Sequence, residues 1–186
     1  MVKFDYFYGG HIGFSDIGFD ATPVDDRVVT NQKLASVFEE TKSIALVMDK
    51  FGFDTLWLSE HHFQAEGYGG IPNIPMISVY LANFTEKLSF GGFFNTVPAW
   101  HPLRLAEDFA VADVITKGRV RFGIGRGYIP REVETLGSPL EDDQLNREIF
   151  EEQVQIIIKA WSENSFSHQV RAKNPRLSSC FSRSIR

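Results

Sequence analysis

Apolar residues recur along this chain in two alternating periods. The segment VKFDYFY (residues 2–8) is rich in aromatic and β-branched residues and reads as a strand. Leu34, Val37, Phe38, Thr41, Ile44, Ala45 and Met48 then share one face at the 3.6-residue period, which predicts a helix closed by Gly52. TLWLSE (55–60) is a second strand, followed by a glycine-rich loop and a short helix from about Pro75 to Phe84. LSFGGFFNT (88–96) is a third strand. Pro102 opens the next helix, where its missing N–H costs nothing, with Leu105, Phe109, Ala112 and Ile115 inward and Lys117-Gly118 at its end. RVRFGIGRG (119–127) is a fourth strand. After a loop, Ile149, Phe150, Val154, Ile157, Ile158 and Trp161 mark a fourth helix.

Four successive β-α units imply an α/β fold with a parallel sheet and right-handed crossovers. A doubly wound open sheet and a (β/α)8 barrel both satisfy that order. A whole barrel takes roughly 250 residues, whereas these four units end near Trp161. The pace is that of a barrel with enlarged loops, and of about half of one. Half a barrel leaves its outer strands as unpaired edges and its inner face without an opposing wall. No internal repeat is evident: the His-His-Phe of unit two has no counterpart in unit four. The connection from Gly9 to about Gln32 is longer than most loops in compact domains, which marks it as a functional lid or binding loop.

Composition narrows the class. A chain of 186 residues is one domain by default. A net charge of −5 argues against a nucleic-acid surface. The single cysteine, Cys180, excludes an intrachain disulfide and fits a reducing compartment. No stretch approaches the roughly 20 apolar residues of a membrane span, and the N-terminus lacks the pattern of a signal peptide. The expected location is the cytoplasm. Charge is uneven, however. Of 19 Lys and Arg residues, 5 follow Trp161, against 1 of 24 Asp and Glu. The final stretch, VRAKNPRLSSCFSRSIR, shows neither helical nor strand period. Residues 1–169 therefore read as the folded domain and 170–186 as an irregular basic tail.

Candidate chemistry gathers where successive strands end. Glu60-His61-His62 follows strand two, Asn95-Thr96 ends strand three, and Arg126 ends strand four. In parallel α/β proteins this edge carries the ligand. Neighbouring residues of an extended strand point to opposite faces, so His61 and His62 are poorly placed to share a metal ion. An acid/base role needs one imidazole in the pocket and a carboxylate to orient it; histidines bonded to nearby carbonyls remain the alternative. In FGIGRGYIP (122–130), alternate glycines allow a ligand close to the backbone, and Arg126 offers a fork of donors suited to phosphate. Neither a dinucleotide fingerprint nor a Walker loop is present. Gly91-Gly92 points to a bulge or close approach, and Phe93 and Phe94 could wall a flat ring system or simply fill the core.

Three stretches carry a resemblance: FDTLWLSEHHF, LSFGGFFNTVPAWHPLRLAEDFAVAD and KGRVRFGIGRGY. Together, in order and spacing, they resemble the bacterial luciferase-like flavin-dependent monooxygenases, from near the N-terminus to about Trp161. The resemblance implies a (β/α)8 barrel, homo- or heterodimeric, that uses reduced FMN and O2 to oxidise a small organic substrate such as an aldehyde. A flavin reductase would supply the reduced FMN; related barrels use a deazaflavin instead. By the same resemblance His61 acts in catalysis, with Glu60 and His62 beside it. Arg126 contacts the FMN phosphate. A non-proline cis peptide falls at Phe93-Phe94 near the flavin ring, next to Asn95, and His101 matches a pocket histidine. Gly125 stands where a reactive cysteine can occur in the family, so thiol chemistry is not expected there.

The family chain continues for roughly another 150 residues beyond the last resemblance. A change of reading frame near residue 169 would explain both that early end and the basic tail. Two functions follow as expectations: a flavin-dependent monooxygenase, or a catalytically inactive half-barrel that binds flavin weakly or only pairs with another subunit.

Overall fold

The computed structural model describes residues 2–63, 65–67, 69–138, 140, 142–171 and 180–183. In chain order its elements are β1 (Asp5–Tyr8), α1 (Asn31–Phe51), β2 (Thr55–Leu58), α2 (Ile74–Ala82), β3 (Ser89–Gly92), β4 (Asn95–Thr96), α3 (Pro102–Thr116), β5 (Val120–Arg121), β6 (Ile124–Gly125), α4 (Pro130–Thr135), α5 (Asp143–Ser162), β7 (Phe166–Gln169) and β8 (Cys180–Arg183). The chain divides into two compact units, Met1–Asn95 with Ile115–Gly123, and Thr96–Val114 with Ile124–Arg186. No described helix is long and apolar enough to cross a membrane.

The first unit holds a parallel sheet in the order β1-β2-β3-β5. Strand alternation sorts its side chains. Leu56, Leu58 and Phe90 are buried in one core with Val37, Ala45 and Met48 of α1 and Ile74, Ile77 and Leu81 of α2. Trp57, out of phase with the two leucines, bonds Asp5 of β1 instead. Helix α1 forms where the 3.6-residue period places it. The Thr30 hydroxyl accepts from the Lys33 N–H, and Gly52 caps the far end with φ 76°, a conformation glycine adopts freely.

Two polar side chains tie the unit's turns together. Asp49, in the last turn of α1, accepts the main-chain N–H groups of Glu86, Lys87 and Leu88 at 3.0, 2.9 and 2.7 Å. Arg119 donates to the carbonyls of Ala82, Thr85, Leu88 and Thr116 and to the Thr85 hydroxyl. Ala82 and Thr116 end α2 and α3, so one guanidinium satisfies carbonyls that helix ends leave open.

Strands three and four are shorter than the sequence implies. The expected run 88–96 is interrupted at Phe93-Phe94, whose peptide bond is cis. Its ladder is diverted at Asn95, whose main-chain N–H and side-chain amide both donate to the Gly123 carbonyl, at 2.9 and 2.8 Å. The expected run 119–127 breaks at Phe122-Gly123, where the Gly123 N–H turns back to Arg121 O. A Cβ at Gly123 would collide with the Gly92 carbonyl, so the close approach requires glycine.

The buried faces of α3 and α5 differ from two expectations. On α3, Leu105, Phe109 and Ala112 are buried as expected, but Ile115 is 54% exposed and Thr116 is buried in its place. The steps 105-109-112-116 keep the helical period; position 115 lies about a quarter turn away. On α5, Ile149 and Ile157 are buried, whereas Ile158 and Trp161 are exposed. The inward face instead carries Asn146, Glu152, Gln153 and Ile156, polar residues that a hydrophobic pattern does not register. Residues 130–135, expected as loop, form α4 behind Pro130. In the tail, expected to be irregular, Cys180–Arg183 pair antiparallel with Phe166–Gln169. The alternation of buried Phe166 and His168 with exposed Ser167 and Gln169 is the strand signal there.

Candidate active site

The candidate acid/base residues Glu60, His61 and His62 lie in the first unit, directly after β2. Glu60 is buried, 3% exposed. Its Oε1 is 2.8 Å from His62 Nε2. Residues two apart meet on one side of an extended chain, which lets this carboxylate reach the second imidazole of the pair. The His61 main-chain N–H donates to Ile71 O at 3.2 Å. A buried carboxylate against an imidazole fixes the ring's orientation, as a proton carrier requires.

The same unit contains Phe93, Phe94 and Asn95, which were expected beside a flat ring. The Phe93 N–H donates to Leu58 O at 2.7 Å, which draws the cis Phe93-Phe94 step onto the end of β2. Phe93 meets Phe7 edge-on, with ring centroids 5.5 Å apart. Asn95 is fully buried and spends its amide N–H on Gly123, yet its Oδ1 has no partner among the described residues. An orphaned buried acceptor is costly unless a ligand or water fills it.

Around β1, the Tyr8 hydroxyl donates to Glu40 Oε2 at 2.8 Å and accepts from the His11 N–H at 3.2 Å. Burial, then the bond to Glu40, pushes the Tyr8 hydroxyl up to about 12. The Gly9–Gln32 connection is tied to the loop after β2. Ile12, Gly69 and Gly70 donate to Gly67, Gly9 and Gly10 at 2.9, 3.0 and 2.9 Å. The Phe14 ring lies below Lys33 and Arg27, 4.8 and 5.2 Å from its centroid.

Arg126 and His101 belong to the second unit. Arg126 follows β6, and its Nη1 is 2.8 Å from Asp143 Oδ1 at the start of α5. Gly127, with φ 79°, packs so closely on Thr96 and Val133 that a Cβ would strike both. His101 sits immediately before α3, where its carbonyl accepts from Leu105 N–H at 3.0 Å. Of the candidate site residues, Glu60 to His62 and Phe93 to Asn95 thus lie in the first unit, and Arg126 and His101 in the second.

Several polar partners escaped the sequence reading. His168 Nε2 lies 2.9 Å from Glu152 Oε1, which also accepts the Arg171 N–H at 2.7 Å. Gln153 donates to Trp100 O at 3.3 Å. The available signal was the run Glu-Glu-Gln inside an otherwise amphipathic helix. Asp143, the partner of Arg126, and Asp5, the partner of Trp57, gave no sequence signal.

Comparison with known proteins gives this α/β chain its class. It matches the luciferase-like monooxygenases over residues 18–181. The chain belongs to that family. It is 34% identical over 108 residues to the alkanal monooxygenase alpha chain of Photorhabdus laumondii subsp. laumondii, covering 58% of this chain and 30% of that one. It is 32% identical over 112 residues to the oxygenase component of the flavin-dependent trigonelline monooxygenase of Acinetobacter baylyi, covering 60% and 30%. Two solved structures share the fold. The oxygenating constituent of 3,6-diketocamphane monooxygenase from Pseudomonas putida, in complex with FMN, aligns with TM-score 0.74 and 21% identity, covering 92% of this chain and 42% of that one. Monooxygenase RslO1 from Streptomyces bottropensis aligns with TM-score 0.75 and 22% identity, covering 93% and 47%. This chain therefore spans about a third of the curated relatives' length and under half of the solved chains.

Proposed function

We propose that the chain carries the proton-handling residues and part of the flavin site of a monooxygenase that uses reduced FMN and O2. Its substrate is a small organic molecule such as an aldehyde. The observation that carries this reading is the buried Glu60–His62 pair in the same unit as Phe93-Phe94 and the unpartnered Asn95 Oδ1. These residues fit a flavin. Asn95 Oδ1 suits a ring N–H, the two phenylalanines suit a flat ring, and Arg126 suits a phosphate. When bound, reduced FMN supplies the electrons that activate O2, chemistry that amino-acid side chains lack. This chain's part is to orient and to move protons. Glu60 holds the His62 ring, His61 exchanges protons with the reacting oxygen, and His101 contributes to the pocket.

The relatives' names support the partners proposed. One is an oxygenase component, which accords with delivery of reduced FMN by a separate flavin reductase. The four parallel strands are proposed as the first half of a (β/α)8 barrel, working in a homo- or heterodimer. A second reading has one observation in its favour. Tyr6 and Phe7 are exposed on β1, which pairs on one side only among the described residues; this also suits a non-catalytic half-barrel that pairs with another subunit.

Oxygen uptake separates the two readings. With reduced FMN, a series of aliphatic aldehydes should yield acid and consume O2 beyond the flavin's own autoxidation, and His61→Ala should abolish the product while flavin binding persists. Absence of any aldehyde oxidation, with the chain folded and paired to another subunit, would favour the second reading. Absorbance of the protein-bound cofactor distinguishes FMN from a deazaflavin.

A further inference from the structure

We propose that Trp57, clamped by Asp5, is the floor of the flat-ring site and sets how deeply a heteroaromatic ring can sit. Asp5 is its positioning residue. The proposal deepens the flavin reading above and rests on it.

Four side-chain positions share one rung of the sheet: Phe7, Trp57, Gly91 and Arg121. Residues at one level of neighbouring strands point to the same face. At Gly91 the rung has no side chain, and the indole of Trp57 fills that space. A Cβ built on Gly91 would run into the six-membered ring of Trp57, and one on Gly123 would touch it at 3.4 Å. The indole therefore lies across the backbone of its neighbour strand rather than standing away from the sheet.

Asp5 fixes that pose with both carboxylate oxygens. Oδ2 accepts from the indole Nε1–H at 3.1 Å, and Oδ1 accepts from the Thr55 main-chain N–H at 3.1 Å. Each oxygen has its own donor, so turning the carboxylate to release one bond breaks the other. A tryptophan tied at its N–H and seated on glycine backbone has little freedom left at either side-chain torsion.

Above this rung, two residues beyond Gly91 and just past the end of β3, Phe93 meets Phe7 edge-on. Phe7 and Phe93 thus lie on the same face as the indole that covers Gly91. Phe7 and Phe93 are 49% and 60% exposed and Trp57 is half-buried, so the rings can be reached. Three rings on one face of the sheet recognise a flat heteroaromatic ring by stacking and edge contact, not by hydrogen-bond readout. Tryptophan contributes this only in the pose that Asp5 holds. That gives a reason for an acidic residue in a strand made otherwise of aromatics, and for glycine opposite Trp57.

The test is a fluorescence and absorbance titration of the full chain with two probes, FMN and lumiflavin, which has the ring without the phosphate. Wild type, Trp57→Phe and Asp5→Asn are compared, with circular dichroism as the check on folding. Binding of either probe should quench tryptophan emission and shift the flavin visible band. Trp57→Phe should weaken both probes about tenfold and remove most of the quenching, although Trp100 and Trp161 remain. Asp5→Asn keeps the shape but offers one carbonyl acceptor to two donors, and should lie between the two. If Trp57→Phe does not fold, Asp5→Asn decides. Equal affinity and equal quenching in wild type and variants, with FMN bound, overturns the floor and leaves the flavin reading standing. Lumiflavin bound in a Trp57-dependent way without FMN binding keeps the floor and overturns the FMN reading. Binding of neither probe by wild type overturns both.

Discussion

Replacing Asp49 should loosen the entry to β3, and with it the Phe93-Phe94 step, without touching any candidate site residue. The carboxylate accepts three N–H groups, Lys87 and Leu88 on Oδ1 and Glu86 on Oδ2. Hydrogen bonds to a charged group contribute roughly 1.5–3 kcal/mol each when desolvated. Those to Glu86 and Lys87 are exposed, so water replaces them at little loss; that to Leu88 is partly buried. Asp49→Ala should therefore cost about 2–3 kcal/mol, most of it from Leu88. Asp49→Asn retains one acceptor oxygen for Lys87 and Leu88 and loses the Glu86 bond, so it should cost about 1 kcal/mol. The pH dependence has a definite sign. Burial acts to raise the Asp49 carboxyl, but the N–H groups of Glu86, Lys87 and Leu88, with Arg119 nearby, outweigh it and hold it below the usual 3.8. A depressed carboxyl stabilises the fold above 3.8 and loses that contribution as pH falls through its folded value. Urea titrations at neutral pH and near pH 3 should show the wild type converging on Asp49→Asn under acid. A cost below about 0.5 kcal/mol for Asp49→Ala, with Leu88 amide exchange unchanged, would refute the assignment of these bonds as a clamp.

Arg119→Lys should destabilise by about 2–3 kcal/mol in urea, since one ammonium cannot reach five acceptors on two helix ends; a near-neutral result would contradict that role. Tyr8 is raised in the folded chain from 10.0 to about 12, so its contribution is intact below pH 10 and lost as pH rises toward 12. Tyr8→Phe should flatten stability across that window, and an unchanged slope counts against the buried bond to Glu40. Glu60→Gln keeps the shape and removes the charge facing His62, and should lower turnover about 100-fold with flavin affinity preserved. Unaltered steady-state turnover would take Glu60 out of the proton path.

The parts of this fold that pattern alone conveyed are those where period and burial coincide. Val37, Thr41, Ala45 and Met48 are inward on α1, and Leu56 and Leu58 inward on β2, because nothing competes with the apolar face there. Legibility ended where polar groups do structural work. The inner face of α5 holds Asn146, Glu152 and Gln153 because Ser138, His168 and Trp100 supply partners that no local period announces. The breaks in β3 and β5 depend on Asn95 reaching Gly123, a contact 28 residues away in the chain. For the site, the run Glu60-His61-His62 was visible, but the contact of Glu60 with His62 follows from the backbone path after Leu58. The family resemblance supplied the cis step at Phe93-Phe94, which composition and spacing could not.

An anaerobic titration with reduced FMN, comparing wild type with Arg126→Ala, tests the central claim most directly. Arg126 is paired with Asp143, so a phosphate must compete with one carboxylate for the guanidinium fork. The account predicts saturable binding, weakened about tenfold or more by Arg126→Ala. Asp143→Asn should strengthen it. Binding unchanged in Arg126→Ala, or no binding by a folded wild-type chain, would contradict the account.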